Sequence, residues 1–345
     1  MNQAQAAVYG LPSGFYVPPE DARHERTFMQ WPVNRAVHSD QWFLEDLQST
    51  IADIANAIAS FEPVVVLMPE AAIKAARKKL SDTVEIWDIP TDDLWARDSG
   101  PLFAVNGTGD LAISNLNFNG WGNKQVHPHD GRVALRVAER LGIPIYNSGV
   151  SGEPGGVEWD GHGTLIAHES SWVNPNRNTL SRSEIEARLL AAYGADKMIW
   201  APGVTGHDIT DDHIDALARY TAPGHVVIQV PYPEDRDVFS KSARQTLAIL
   251  KTATDAKGRR LEITEIPSPV RPRISSEDFL ASYANFYVCN GAVICSEFGD
   301  RDTDETARSA FARLFPGREI IALNVDALGE IGGGIHCATQ QQPAT

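Results

Sequence analysis

Apolar residues return every three to four positions near residues 41–60, 70–80, 129–141, 181–193, 236–252 and 302–314, a spacing that predicts helices. Short β-branched or aromatic runs at 64–68, 84–89, 144–146, 163–167, 197–200, 225–230, 261–266 and 319–323 predict strands between them. The alternation is that of an α/β chain. From residue 70 onward the helices recur at intervals of about 50–60 residues, near the long end of the periods that mark repeats and propellers. Each is followed by a strand and then by a loop rich in Gly, Pro, Asp or Ser. These loops, at 95–98, 152–156, 211–215, 267–273 and around Cys337, hold the most unusual polar residues of the chain. A ring of five such units, each sending its loop to a common axis, would gather those residues into one site. No low-complexity linker divides the sequence, so residues 15–345 read as one domain behind an N-terminal tail, 1–14.

Composition narrows the partners. A chain that is 43% hydrophobic and 22% charged has the makings of a full core, and a net charge of −15 disfavours nucleic acid and anionic membranes, which need basic patches. A small cationic substrate is compatible with that charge. No apolar run reaches the length of a membrane span, and residues 1–10 lack the basic start and apolar core of a signal peptide. The expected compartment is the cytoplasm, unless an export leader precedes Met1. Three cysteines without a Cys-x-x-Cys pair agree with a reducing environment.

Cys337 follows three glycines in Gly-Gly-Gly-Ile-His-Cys, whereas Cys289 and Cys295 sit in strand-like apolar runs and read as core residues. Glycines let the backbone turn and approach a ligand closely, so Cys337 has the setting of a presented nucleophile. The local sequence does not decide the point, because a reactive thiol needs a base and a polar or electropositive setting. Candidate partners are His213 and Asp215, whose spacing in a strand would point both to one face, together with Asp98 and Glu153. Taken singly, these residues also fit a surface pair, a turn cap and a solvated loop. As a set they fit a thiolate attacking an electrophilic carbon, a histidine moving protons, and carboxylates holding a cationic group rich in donors. Guanidinium matches that description, since its planar fork pairs with carboxylates.

Trp31-Pro32, the run from Trp95 to Pro101, Asn117 to Gly122, Asn174-Pro-Asn-Arg-Asn178, His213-Ile-Asp215, Ala281 to Tyr287, Phe298-Gly-Asp300 and Gly332 to Pro343 closely resemble, in order, the motifs of the agmatine deiminase and bacterial peptidyl-arginine deiminase family. The resemblance runs from about Phe15 to Pro343. It implies the pentein fold, a five-unit α/β propeller with its active site on the axis. It also implies Cys337 as nucleophile, His213 as general acid and base, Asp98 and Asp215 as guanidinium ligands, and Glu153 as a positioning acid. A homodimer is common in the family, and no cofactor is required. The family pattern is Glu-Gly-Gly where this chain has Glu153-Pro-Gly-Gly156, and the proline puts the loop path in question, with Glu158 as the fallback acid.

Agmatine is the favoured substrate, with Trp31, Trp95 and Trp121 either lining a channel for its methylenes or packing in the core. A peptidyl-arginine or carboxylate-bearing substrate would want a distal cation, for which Arg271 or Arg273 is available. Rival readings are an amidinotransferase, in which an amine captures the same intermediate, and a non-catalytic guanidinium-binding protein. A metal-dependent hydrolase built on His127, His129, Asp130, His162 and His168 is the third, with ordinary solvated histidines as its simpler explanation.

Overall fold

The computed structural model describes residues 9–276 and 278–345. Its strands form five separate sheets, each with an antiparallel pair and then a parallel strand reached through a helix. The first contains Gln340–Pro343, His24–Gln30, Val64–Met68 and Glu85–Asp88, in that order. The second contains Phe15–Tyr16, Leu102–Asn106, Leu111–Asn115 and Ile145–Asn147. Three-stranded sheets follow, built on the central strands Thr164–His168, His225–Val230 and Ala292–Ser296. The crossover helices are Gln41–Ile58, Val133–Leu141, Arg182–Tyr193, Val238–Thr252 and Arg301–Leu314.

Local chemistry explains where these helices begin and end. Asp40 accepts a bond from the Phe43 N–H, and Leu44, Leu47, Ile51, Ile54 and Ile58 then bury one face of the first helix. Ser181 and Glu184 form a reciprocal capping box, and Gly194 closes that helix in the left-handed region at φ 64°. Val64–Met68 is buried at every position, as a central parallel strand with both faces covered must be.

Two expectations change. The recurrence read from residue 70 starts one element late: Gln41–Ile58 is the crossover of the first sheet, and Glu70–Ala76 leads only to its extra strand, Glu85–Asp88. That sheet is completed by the end of the chain, with Gln340 opposite Phe28, a pairing that local periodicity cannot reveal. Residues 1–8 of the expected tail lie outside the described residues, whereas Gly10 and Leu11 donate to the carbonyls of Asn147 and Ala191 and so are docked on the fold. Among the described residues no helix is long and apolar enough to cross a membrane.

Candidate active site

Each link between the last strand of one sheet and the first strand of the next contributes to one cluster. After Glu85–Asp88 the chain makes a single helical turn, Ala96–Ser99, which carries Arg97 and Asp98. Arg97 is fully buried; its backbone N–H donates to the Cys337 carbonyl at 3.0 Å and its guanidinium reaches Gln340 and Glu20. The first and last links are thereby fixed to each other. Asp98 accepts from Trp121 Nε1 at 2.8 Å and from the Gly155 N–H at 3.3 Å.

The second link carries Glu153, followed by a short 3₁₀ turn, Pro154–Gly156. Pro154 occupies the first position of that turn, where a missing N–H costs nothing, so the departure from Glu-Gly-Gly is accommodated locally. A Cβ on Gly155 would lie 2.6 Å from Asp98 Oδ1, 2.9 Å from His213 Nδ1 and 3.2 Å from Asp215 Oδ2, so only glycine fits where these three groups meet. Glu153 is buried, with Oε2 at 3.1 Å from His213 Nε2.

His213 and Asp215 lie in the third link, and here the expected strand is replaced. Asp211 and Asp212 adopt positive φ, His213 precedes a 3₁₀ turn, Ile214–Ala216, and the two side chains converge through that turn. Asp215 is fully buried; Oδ2 meets His336 Nδ1 at 2.7 Å, while Oδ1 has no protein partner. The fourth link acts through Asn285 instead of residues 267–273. Its Nδ2 donates to Cys337 Sγ at 3.2 Å and its Oδ1 accepts from the Cys337 N–H at 3.2 Å. Cys337 Sγ is also 3.7 Å from Asp215 Oδ2.

The electrostatics of the group are coupled. Burial opposes a charge on His213, but Asp98, Glu153 and Asp215 outweigh it and raise its pKa to about 9. Burial raises Asp98 to about 6, against the pull of His213 and with help from Glu153 and Asp215. Asp215 is also penalised by burial, yet its bond to His336 and the charges of His336, His213 and Arg219 hold it below the usual carboxylate range. Burial, then Asp215 and Asp98, push the Cys337 thiol well above its ordinary range. The free site therefore favours a neutral thiol beside an imidazolium. A cation between the two aspartates would offset the part of that shift that comes from their charges.

Other candidates have different surroundings. Glu158 is buried against Arg219 and accepts from the Tyr220 N–H, so it belongs to a charged group with Glu20 that lies across His336 from Asp215. Trp121 holds Asp98, Trp95 covers Gly333, where a Cβ would come within 2.2 Å of its ring, and Trp31 is packed in the core. The glycines before Cys337 thus admit Trp95 and, at Gly334, Asn285, a use the sequence reading does not foresee. Arg273 is paired with Asp326 at 2.6 Å, and Arg271 is exposed with its backbone N–H on Asp300; neither bonds to the cluster.

The five candidate metal ligands do not converge. Asp130 caps the Asp92 and Asp93 N–H groups, His127 bonds the Gln125 carbonyl, and His168 bonds the Asp212 carbonyl. Among the described residues no group of three or more His, Cys, Asp or Glu side chains has the geometry to hold a metal ion.

Residues that individual sequence reasoning passes over are Asn285, His336, Arg177, Arg219 and Glu20. The first three lie inside the family-like motifs at 281–287, 332–343 and 174–178, which is the one signal the sequence holds for them.

Residues 16–343 match the family model described as Porphyromonas-type peptidyl-arginine deiminase. A Streptomyces coelicolor protein provisionally named agmatine deiminase is 37% identical, with 96% of this chain and 99% of the relative covered. The agmatine deiminase of Ectopseudomonas mendocina is 34% identical, with 96% of each covered. The solved structure of the agmatine deiminase of Enterococcus faecalis superposes with a TM-score of 0.88 at 28% identity, over 96% of each chain.

Proposed function

Because the chain belongs to the Porphyromonas-type peptidyl-arginine deiminase family, whose fold is the pentein fold, we propose that this hydrolase of C–N bonds acts on agmatine, giving N-carbamoylputrescine and ammonia. The observation that carries the reading is the meeting of Cys337, His213, Asp98 and Asp215 from three different links, with Asp215 Oδ1 buried and unpartnered. A buried carboxylate oxygen without a donor is costly, and a guanidinium N–H supplies one.

In this scheme Asp98 and Asp215 take the guanidinium fork and fix its carbon against Cys337 Sγ. Arrival of the cation offsets the negative field on sulfur, and the thiol proton is released to solvent. The thiolate forms a C–S bond to the guanidinium carbon, giving a neutral tetrahedral adduct. The His213 imidazolium gives its proton to one amino group, the C–N bond breaks, and ammonia departs from an S-alkylthiouronium cation. His213, now neutral, takes a proton from water as the hydroxyl adds to the same carbon. Collapse breaks the C–S bond, releases the ureido product and returns the surplus proton to sulfur. Glu153 orients the imidazole through its Nε2 bond, and Asn285 steadies the sulfur. The scheme uses no cofactor. Three free cysteines favour a reducing compartment, and the cytoplasm is the proposed location.

Ammonia release from agmatine, free arginine and an arginine-containing peptide tests the substrate. Turnover of agmatine above the other two is expected; strong peptide turnover without agmatine turnover would reverse the assignment. Ordinary turnover by Cys337→Ala on every compound would overturn the mechanism.

A further inference from the structure

Arg177 lies in Asn174-Pro-Asn-Arg-Asn178, a motif to which the scheme above gives no task. Its guanidinium is buried between the second and third links. Nε stands 3.0 Å from both carboxylate oxygens of Glu153, whose Oε2 is in turn 3.1 Å from His213 Nε2. Nη1 donates to Asp211 Oδ2 at 2.7 Å, and Nη2 donates to the Thr210 carbonyl at 2.9 Å. Asp211 is one of the two positive-φ residues that aim His213, and its Oδ2 also receives Lys124 Nζ at 2.7 Å. One side chain therefore fixes both the carboxylate behind the imidazole and the backbone that carries the imidazole.

We propose that Arg177 is a positioning residue for the deimination, holding the Glu153 carboxylate and the Asp211 backbone in place so that the mobile proton stays on His213. Four acids crowd this region: Glu153, Asp98 and Asp215 face His213, and Asp211 lies behind Arg177. His213⁺, Arg177 and, across Asp211, Lys124 balance them around Glu153, while His336 and Arg219 also face Asp215. Arg177 is the one of these that contacts Glu153 from the side away from the imidazole. Without it, Glu153 would sit buried with His213 as its one remaining charged partner and nothing on its far side to fix its rotamer. A rotated Glu153 no longer orients the ring. Lysine would keep the charge but lose the fork that spans Glu153, Asp211 and Thr210.

The inference rests on the deiminase reading, but its test needs only a guanidino compound that the wild type turns over. If agmatine fails and another member of the panel succeeds, the substrate assignment falls and that compound carries the test. The variants are Arg177→Gln, Arg177→Lys and Asp211→Asn, with thermal melts and circular dichroism to establish folding. For Arg177→Gln, kcat falls at least tenfold while KM, set by Asp98 and Asp215, stays within about threefold. The basic limb of its kcat/KM profile, set by His213, moves down, because the bond and charge of Glu153 help to hold the proton on that imidazole. Arg177→Lys recovers most of the limb position and part of kcat. Should Arg177→Gln not fold, Asp211→Asn, which leaves Arg177 and Glu153 in place, shows a smaller loss of kcat with KM held. A folded Arg177→Gln with wild-type kcat, or with reduced kcat and an unmoved basic limb, overturns the proposal; so does Asp211→Asn with wild-type kcat.

Discussion

Asn285 offers the sharpest test of how the site controls its thiol, because one side chain makes two separable contacts with Cys337. Nδ2 donates to Sγ and Oδ1 accepts from the Cys337 N–H, both at 3.2 Å. Asn285→Ala removes both. A hydrogen bond to a charged group is worth about 1.5–3 kcal/mol, so loss of the donor to a thiolate slows the attack about 10- to 150-fold. Asn285→Asp keeps an acceptor for the N–H but replaces the donor with a carboxylate. At about 4 Å and an effective dielectric of about 20, a like charge adds about 4 kcal/mol, which sets a ceiling of about a thousandfold on the further loss. The actual figure lies below that ceiling, because another carboxylate beside Asp98 and Asp215 would take up a proton. Ammonia release measures kcat/KM, and iodoacetamide alkylation across a range of pH measures the thiol directly. Alanine should lower both rates, and aspartate should lower them further while its melting temperature stays closer to wild type. An Asn285→Asp enzyme with wild-type kcat/KM and an unshifted alkylation profile would refute the reasoning.

The shifts at His213 and Asp98 predict a kcat/KM profile for the free enzyme with an acidic limb near about 6 and a basic limb near about 9. Both folded values are raised, so both groups lose stabilising free energy as pH rises. For His213 the contribution, about 3 kcal/mol, is complete below about 6.5 and is lost as pH passes through about 9. Melting temperatures of the free protein should therefore fall across that window, and fall less in His213→Gln. Cys337→Ser should bind substrate but release no ammonia. Calorimetry in buffers of different ionisation enthalpy should show proton release on binding by the wild type, absent from the serine variant; equal release by both would refute thiol ionisation on binding. His336→Phe leaves Asp215 and Glu20 facing each other without the imidazole between them, and denaturant unfolding should show a loss of about 3–5 kcal/mol.

The helices and most crossover strands are legible because burial on one face imposes a period, and that period survives in one dimension. The antiparallel partner strands, such as Ala218–Ala222, are short and irregular and leave little trace. Cys337 and His213 stand out by residue type and setting. Asn285 does not, since an asparagine among aromatic residues has no distinctive pattern until it is placed 3.2 Å from a sulfur. The same holds for Arg271 and Arg273, eligible by charge alone until Asp326 is seen to occupy Arg273. Pro154 is an obstacle on paper and a compatible first residue of a 3₁₀ turn in space.

By itself, then, the sequence determined the α/β class, the five-fold recurrence, the acidic balance and the family with its reaction. These are carried by local periodicity, composition and ordered motifs. Only the tertiary structure decided that the first sheet is completed by the last strand, that His213 and Asp215 meet through a 3₁₀ turn, and that Asn285, His336 and Arg177 lie against Cys337, Asp215 and Glu153. The physical reason is distance: hydrogen bonds and Coulomb forces act across a few ångströms of space. The residues that tune Cys337 lie 52 and 122 positions away along the chain.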